Sequence, residues 1–470
     1  MRMTPSRLPP AGRPSRPQRG GPAASATATV LRQRRPLAGT VTADLLPTLS
    51  GNRRRAAGGR LAGAFAAGTL LLLAMTSLPA AAQSIDRQFR AWLEADLWPS
   101  AKAQGVSRST FDAAFAGIAP NLKLPDLVLP GQKPETPKTQ HQAEFGSPGA
   151  YFAEDTVRGV TAGGRTRART HARTLATVEK ATGVPAGIVL AIWGRESGFG
   201  RAKIPYDAFE VLGTKAFLAS RKEMFREEVL AALVMAERGR IPPRSMKSSW
   251  AGALGQPQFM PSSYLKYATD GDGDGRADIW TSEADTLASI GNYLKAHGWV
   301  RGRDWGFEVT VPQAVSCALE GPDRGKPIAE WARMGVARVG GKPFPAHETK
   351  GEGYLMMPAG RNGPAFIVTP NFYVLKDYNE SDLYALFVGH AADRIQYGDR
   401  TFAGTWGRVG GLYRSDVAAM QRGLEKLGYD VGGADGLPGF RTRRSIGDWQ
   451  ARNGLEPTCF PDAAVVKRLR

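Results

Sequence analysis

The stretch AIWGRESGFG, residues 191–200, ends an apolar run in one carboxyl, Glu196, and follows it with glycines. Pro185 suits the first turn of a helix. Ile188, Ile192 and Glu196 then recur every four residues, so the acid shares a face with two isoleucines. A carboxyl on such a face loses hydration, which disfavours its charged form and raises its pKa. A proton held near neutrality is what a general acid for glycosidic cleavage needs. No other acid lies between Lys180 and Pro205, whereas glycosidases usually use two carboxyls. The same spacing also fits a helix-end glutamate paired with Arg195 or Arg201. Gly198 and Gly200 are expected to end the helix and leave room for a sugar chain beside Glu196.

A second constellation is acidic. Asp270, Asp272 and Asp274 alternate with glycines, and Gly275 follows. This is the opening of an EF-hand loop, whose sixth residue must turn sharply. Arg276 can offer its carbonyl at position seven. Thr281 stands at position twelve, where a glutamate is usual. Hard oxygen ligands point to a structural cation such as Ca²⁺, with no cofactor needed for chemistry. The alternative is a solvated Asp/Gly turn.

The elements that must position these groups are mostly helical. Helical patterns dominate from about 165 to 300 and return over Glu380–Ile395. Before them, Ser107 is a plausible N-cap, and residues 124–150 read as an irregular connection. Strand signals are short: Phe307–Val311 and Ala365–Thr369. The reading is a mainly α domain with minor β structure. A glycine-rich break, Tyr397–Gly411, precedes a small final unit. There, Asp416–Asp430 and Arg441–Glu456 each place a glutamine in a helix before a glycine turn. Val417, Met420, Leu424 and Leu427 follow helical spacing, as do Ile446 and Trp449. Cys317 and Cys459 are the only cysteines. They fall in different domains, export would permit a disulfide, and the sequence leaves the pairing open.

The formal charge of +19 first suggests a polyanion partner. Twelve arginines and a single acid, Asp44, fall in residues 1–82, which leaves +8 for the rest of the chain. No Lys/Arg-aromatic stripe supports nucleic-acid binding, and a moderately basic body suits an acidic wall glycan. Asn52–Arg60 is a positive n-region, Leu61–Leu78 an apolar h-region, and Ala80-Ala81-Ala82 a cleavage site. This predicts export to the periplasm. An uncleaved signal acting as a membrane anchor is the alternative, although about 18 apolar residues are marginal for a span.

GVPAGIVLAIWGRESGFGR, SSWAGALGQPQFMPSSYLKYA, DGDGDGRADIW and IGNYLKAHGW, read together, closely resemble the lytic murein transglycosylase B family, glycoside hydrolase family 103, over residues 84–395. The resemblance implies a lysozyme-like (α+β) catalytic domain with a peptidoglycan groove. It makes Glu196 the single catalytic acid, which protonates the MurNAc–GlcNAc oxygen and then takes the proton of the MurNAc C6 hydroxyl. Ser249 would hold the Glu196 carboxyl, Gln258 would contact the sugar, and Phe259 and Tyr293 would line the groove. Asn371, Tyr373 and Tyr378 match the far wall. Arg221 is kept from a usual Arg pair whose first position is Ser220 here. The family's acidic loop closes on a later acid, for which Asp285 aligns best and Glu283 next. The final unit resembles the three-helix peptidoglycan-binding module through Asp435-Gly436, Gly439, Thr442, Ile446, Trp449-Gln450 and Gly454-Leu455, with two departures, Phe440 and Gly447. The expected organisation is a leader (1–82), a catalytic domain (83–396), a linker (397–411) and a peptidoglycan-binding domain (412–470). Peptidoglycan strands are the expected partner of a monomeric chain, and the reading admits other cell-wall enzymes. A muramidase that uses water and a non-catalytic wall-binding scaffold are the competing functions.

Overall fold

A computed structural model describes residues 80–131, 148–407 and 411–470, with side chains from Ile85 onward. The apolar leader, residues 61–78, lies outside the described residues, as does most of the expected irregular connection.

Three helices open the described chain: α1 (Ala80–Trp92), α2 (Trp98–Ala103) and α3 (Arg108–Phe115). Ser107 caps α3 as expected, its Oγ accepting the Thr110 N–H at 3.3 Å. The main helical layer follows with α4 (Glu154–Thr170), α5 (Ala172–Thr182), α6 (Ala186–Ser197), α7 (Ala208–Leu218), α8 (Lys222–Glu237), α9 (Pro261–Tyr267) and α10 (Glu283–Ala296).

Helix α6 is the centre of this layer. Val189, Leu190, Ala191, Ile192 and Trp193 are all fully buried. A helix apolar all round belongs in a core, and each large apolar side chain there contributes roughly 1.5–3 kcal/mol of burial. Helix α6 packs against α4 and α10, and against α13 (Asp382–Tyr397) from much later in the chain. The α6–α13 crossing is close because Gly187 has no Cβ: one there would lie 2.9 Å from the carbonyl oxygen of Ala392.

Two small strands, β1 (Tyr206–Asp207) and β2 (Lys247–Ser248), pair antiparallel near the end of α6's loop. A larger antiparallel sheet runs in the order β4-β6-β7-β3-β5. Its members are β3 (Gly306–Thr310), β4 (Lys326–Pro327), β5 (Ala337–Arg338), β6 (Glu352–Met356) and β7 (Ala365–Val368). Phe307 stands opposite Ile367, and Leu355 opposite Ile367 on the other side. Strand β7 is buried on both faces. Phe366 and Val368 join the helical core, while Ala365 and Ile367 join a second apolar cluster around Phe307, Trp331 and Leu355. Helix α11 (Ile328–Arg333) covers that second face, and α12 (Pro370–Tyr378) leads from β7 into α13.

Residues 398–407, expected as linker, pack against the main domain. Trp406 stacks on Phe152 at 5.2 Å, and Phe402 lies over His390 at 4.0 Å. The final unit has three helices: α14 (Arg414–Lys426), α15 (Phe440–Arg452) and α16 (Ala463–Leu469). Val417, Met420, Leu424, Ile446 and Trp449 fill its core as the spacing predicts. Leu427 does not. It sits just past α14, where the helical period has ended, and is 59% exposed. The paired glutamines are structural. Buried Gln421 accepts the Gly436 N–H at 2.7 Å and donates to Leu437 O and Thr442 Oγ1. Buried Gln450 accepts the Thr458 N–H at 2.9 Å and donates to Thr458 Oγ1. Each holds the loop that follows its helix.

Cys317 and Cys459 form a disulfide across 142 residues, joining the second apolar cluster to the final unit. Both departures from the module pattern face this junction. A Cβ on Gly447 would lie 2.2 Å from Cys459 Sγ, and Phe440 packs against Gly321 of the main domain. The sequence alone could not relate these two departures to a partner surface more than a hundred residues earlier.

Candidate active site

The C-terminus of α6 delivers Glu196 to the floor of a cleft. Gly198, Phe199 and Gly200 are all left-handed, with φ of 57°, 64° and 77°. The left-handed Gly198 ends the helix at Ser197, and the Phe199 N–H closes the end on Trp193 O at 3.3 Å. The space freed at Gly200 is taken by protein and not by substrate. A Cβ there would lie 2.5 Å from Oε1 of Gln256, the atom that accepts the Trp193 indole N–H at 2.8 Å. The glycine therefore lets Gln256 lock the core of α6. At Gly198 the nearest side-chain atom to a Cβ would be Arg201 Nη2, 4.0 Å away, so that position is open.

A cleft of about 260 Å³ lies on one side of Glu196, lined also by Arg221, Glu228, Ser249, Gln258, Phe259, Tyr293, Tyr378 and Tyr384. A second cleft of about 670 Å³ shares Arg195 and Glu196 and continues past Gly198 to Arg201 and Lys203. Glu196 stands where the two meet.

Burial pushes the Glu196 carboxyl up to about 7, against the pull of a hydrogen bond from Tyr384 and the charge of Arg195. The Tyr384 hydroxyl donates to Oε1 at 2.5 Å. Burial and the adjacent Glu196 raise the Tyr384 and Tyr378 phenols well above 10, so both remain donors. Tyr378 donates to Pro257 O at 2.7 Å, and Tyr293 donates to Asp377 O at 2.5 Å. Phe259 packs 5.5 Å from the Tyr293 ring and 6.0 Å from the Tyr378 ring. Gln258 holds a left-handed backbone, φ 53°, and donates to Gly255 O at 2.8 Å. Its Oε1 is buried and, among the described residues, has no hydrogen-bond partner. A strained backbone and an unmet acceptor in a cleft wall suit a ligand donor.

The structure thus brings together Glu196, Arg221, Ser249, Gln258, Phe259, Tyr293 and Tyr378. Ser249 is present, but its Oγ accepts the Ala253 N–H at 3.2 Å, and the hydrogen bond to the acid comes from Tyr384. Two residues expected on the far wall are elsewhere. Asn371 is fully buried and spends its amide on a loop, accepting Val300 N–H at 2.7 Å and donating to Val300 O and Arg303 O at 2.9 Å. Tyr373 packs edge-on against Tyr354 and Phe372. Asn371 lies about two turns before Tyr378, at the N-terminal end of α12 next to the 300–303 loop, whereas Tyr373, five residues from Tyr378, faces another side of the helix. Among the cleft residues that the motifs do not single out are Tyr384 and Glu228, with Asp377 and Glu380 also on the lining. Glu228 is buried, and both its oxygens accept from Ser262, from N–H at 2.9 Å and Oγ at 2.7 Å. Glu228 lies mid-helix in α8 without a motif around it. Tyr384 carried a faint signal, an aromatic in the first turn of a helix already expected.

In the acidic loop, Asp270, Asp272 and Asp285 each present a carboxylate oxygen within 4.8 Å of the others. Asp285 is buried at the start of α10 and accepts from Gly271 N–H at 2.8 Å and Asp278 N–H at 2.6 Å. Asp270 accepts from Gly273 and Gly275. Three converging carboxylates fit a hard cation. Asp274 stands outside this group, where its Oδ1 accepts the Arg276 N–H at 2.8 Å, and the Arg276 side chain is exposed.

Comparison with known proteins adds to this geometry. The family model described as Transglycosylase SLT domain matches residues 88–393, and the peptidoglycan binding domain model matches residues 413–469. Membrane-bound lytic murein transglycosylase B of Escherichia coli K12 is 32% identical over 211 residues, 44% of this chain. The chain spans about half the length of that curated relative, 55%. Among solved structures, SltB3 from Pseudomonas aeruginosa in complex with NAG-anhNAM-pentapeptide is 36% identical, covering 81% of this chain and 99% of its own, with a TM-score of 0.69. Lytic transglycosylase Slt35 of E. coli in complex with calcium is 26% identical over 66% of this chain and 92% of its own, with a TM-score of 0.51. The mainly α, lysozyme-like fold expected from the sequence is that of the structural relative covering 81% of the chain, and the small C-terminal module is matched by the peptidoglycan binding domain model.

Proposed function

The chain belongs to the transglycosylase SLT domain family, and on that premise we propose that it is a lytic transglycosylase of peptidoglycan. Glu196, protonated, gives its proton to the oxygen joining MurNAc C1 to GlcNAc, and that C1–O bond breaks. The Glu196 carboxylate then takes the proton of the MurNAc C6 hydroxyl as O6 closes onto C1. The product is a 1,6-anhydro-MurNAc end. No water enters and Glu196 returns to its acid form, so one carboxyl serves both steps.

One observation carries this reading: the Glu196 carboxyl, pushed up to about 7 by burial, lines both clefts with a phenol donating to it, while Glu228 in the same cleft has both oxygens engaged by Ser262. A pKa near the working pH suits a group that must give and then take a proton. Gln258 Oε1 would accept from a sugar hydroxyl or amide, and the Phe259 ring backs the Tyr293 and Tyr378 walls. Arg221 would meet a peptide or carboxylate. The second cleft, with Arg201 and Lys203, would take the glycan beyond the cut, where stem-peptide carboxylates suit its charge. Asp270, Asp272 and Asp285 would hold a structural Ca²⁺, which would tie the loop to α10 and take no part in the chemistry. A substrate of wall glycan implies work outside the cytoplasm, reached through the N-terminal signal, with peptidoglycan as partner.

The test is incubation of purified sacculi with the protein and with Glu196→Gln, followed by mass spectrometry of the soluble products. Anhydro-muropeptides from the wild type and none from the variant are expected. Reducing ends in place of anhydro ends would mean a muramidase that uses water. Binding to sacculi without any release would mean a scaffold.

A further inference from the structure

Arg443 lies on α15 of the C-terminal module, and its guanidinium is buried against the catalytic domain. Nε and Nη2 meet the two oxygens of Glu320 at 3.0 and 2.5 Å. Nη2 also reaches Oδ2 of Asp382 at 3.2 Å, and Lys376 Nζ takes the other Asp382 oxygen at 2.6 Å. Asp382 is the first residue of α13. The capping Ser381 beside it accepts the Tyr384 N–H at 3.1 Å, and Tyr384 donates to Glu196. One turn of helix therefore carries both the module's contact and the hydrogen bond to the acid.

The electrostatics agree with a firm hold. Burial works against the Asp382 charge, yet Lys376 and Arg443 pull its pKa down to about 2. Asp382 is thus ionised at every working pH, and it ties α12 and the module to the first turn of α13. The Tyr384–Glu196 contact is short, and hydrogen bonds weaken steeply with distance and angle. A shift of that turn by a fraction of an ångström moves the phenol relative to the acid.

We propose that Arg443 is a positioning residue for catalysis: by fixing Asp382 it keeps the first turn of α13 where Tyr384 can hold Glu196. The proposal rests on Glu196 being the acid. It gives the wall-binding module a share in the chemistry beyond attachment to the wall.

The test uses the full chain and a short soluble GlcNAc–MurNAc oligosaccharide, so that module-dependent wall binding does not enter. Three changes are compared with the wild type: Asp382→Asn, Arg443→Lys, and Glu320→Gln combined with Arg443→Met. The last removes the buried pair together, leaving neither charge alone. Circular dichroism confirms the fold of each. We expect Asp382→Asn and the double variant to lower kcat roughly two- to thirty-fold with little change in KM. Their kcat–pH profiles should keep activity to higher pH. Glu196 faces Tyr384, Tyr378 and Arg195, and loss of the Tyr384 bond removes one downward pull on its pKa. Arg443→Lys, which keeps a cation, should recover part of both effects. Folded variants with wild-type kcat and pH profile, or with only KM changed, overturn the proposal and leave Arg443 as a docking residue. Glu196→Gln is measured alongside. If it retains turnover, the acid assignment fails and this proposal with it. If it is inactive while the Arg443 and Asp382 variants match the wild type, this proposal alone fails.

Discussion

Tyr384 donates its phenolic hydrogen to Glu196 at 2.5 Å across 188 residues of chain. The bond runs between α13 and α6, the helices brought close by Gly187. It lowers a pKa that burial raises, so it sets where the acid titrates. Tyr384→Phe removes the donor and keeps the ring. The expected outcome is a fall in kcat of on the order of tenfold, with the alkaline limb of the pH–rate profile moving upward. An unmoved limb would mean that Tyr384 only packs.

Burial of the acid also has a cost in stability. The folded-state pKa of Glu196, about 7, lies above its ordinary value of 4.5. Below pH 4.5 the group is protonated in both states and favours neither. As pH rises towards 7 the unfolded chain ionises first, so the fold loses stability, on the order of 2–3 kcal/mol by pH 8. Glu196→Gln carries no such penalty. Urea melts should find the variant more stable than the wild type at pH 8 and the two alike at pH 4. Equal midpoints at both pH values would contradict an acid whose pKa is raised by burial.

Glu228 lines the same cleft and is the natural candidate for a second catalytic carboxyl. Both of its oxygens are already engaged by Ser262. Glu228→Gln should therefore lower the rate by no more than about tenfold and leave the anhydro product unchanged, the size of effect expected from perturbing a wall and not from deleting a reacting group. A loss of several orders of magnitude, or reducing ends among the products, would restore a two-carboxyl mechanism.

The acidic loop should report on its cation through stability. Ca²⁺ at a hundredfold excess over its Kd would stabilise the fold by about 2.7 kcal/mol. Asp270→Asn with Asp285→Asn should abolish the Ca²⁺-dependent rise in melting temperature while leaving the anhydro product in place. Wild-type protein that melts identically in millimolar Ca²⁺ and in chelator would leave the loop a solvated turn.

Glu196 was legible because its cue is local: an apolar period of four and a terminating glycine within one helix. Gln258 and Tyr293 came with contiguous motifs. Tyr384 was not legible, since what makes it functional is a crossing between two helices. Asn371 shows the reverse error. Its neighbours in sequence include a cleft residue, Tyr378, but its own amide is saturated by the backbone of residues 300–303. In the sheet, β3 and β7 stood out as apolar runs, whereas β4 and β5 are two residues each and leave no period to read.

The disulfide depends on Gly447. A side chain at 447 would collide with Cys459 Sγ, so the bridge in this arrangement requires the glycine, whereas the glycine does not require the bridge. Among descendants of a common ancestor, a chain with both cysteines and a larger residue at this position should be missing. One that has shed Cys317 and Cys459 should drift freely there. The same lineages should show whether the module stayed docked: where the bridge goes, the Arg443–Glu320–Asp382 cluster and the Arg444–Asp323 pair are among the non-covalent ties left to hold gripping and cutting together.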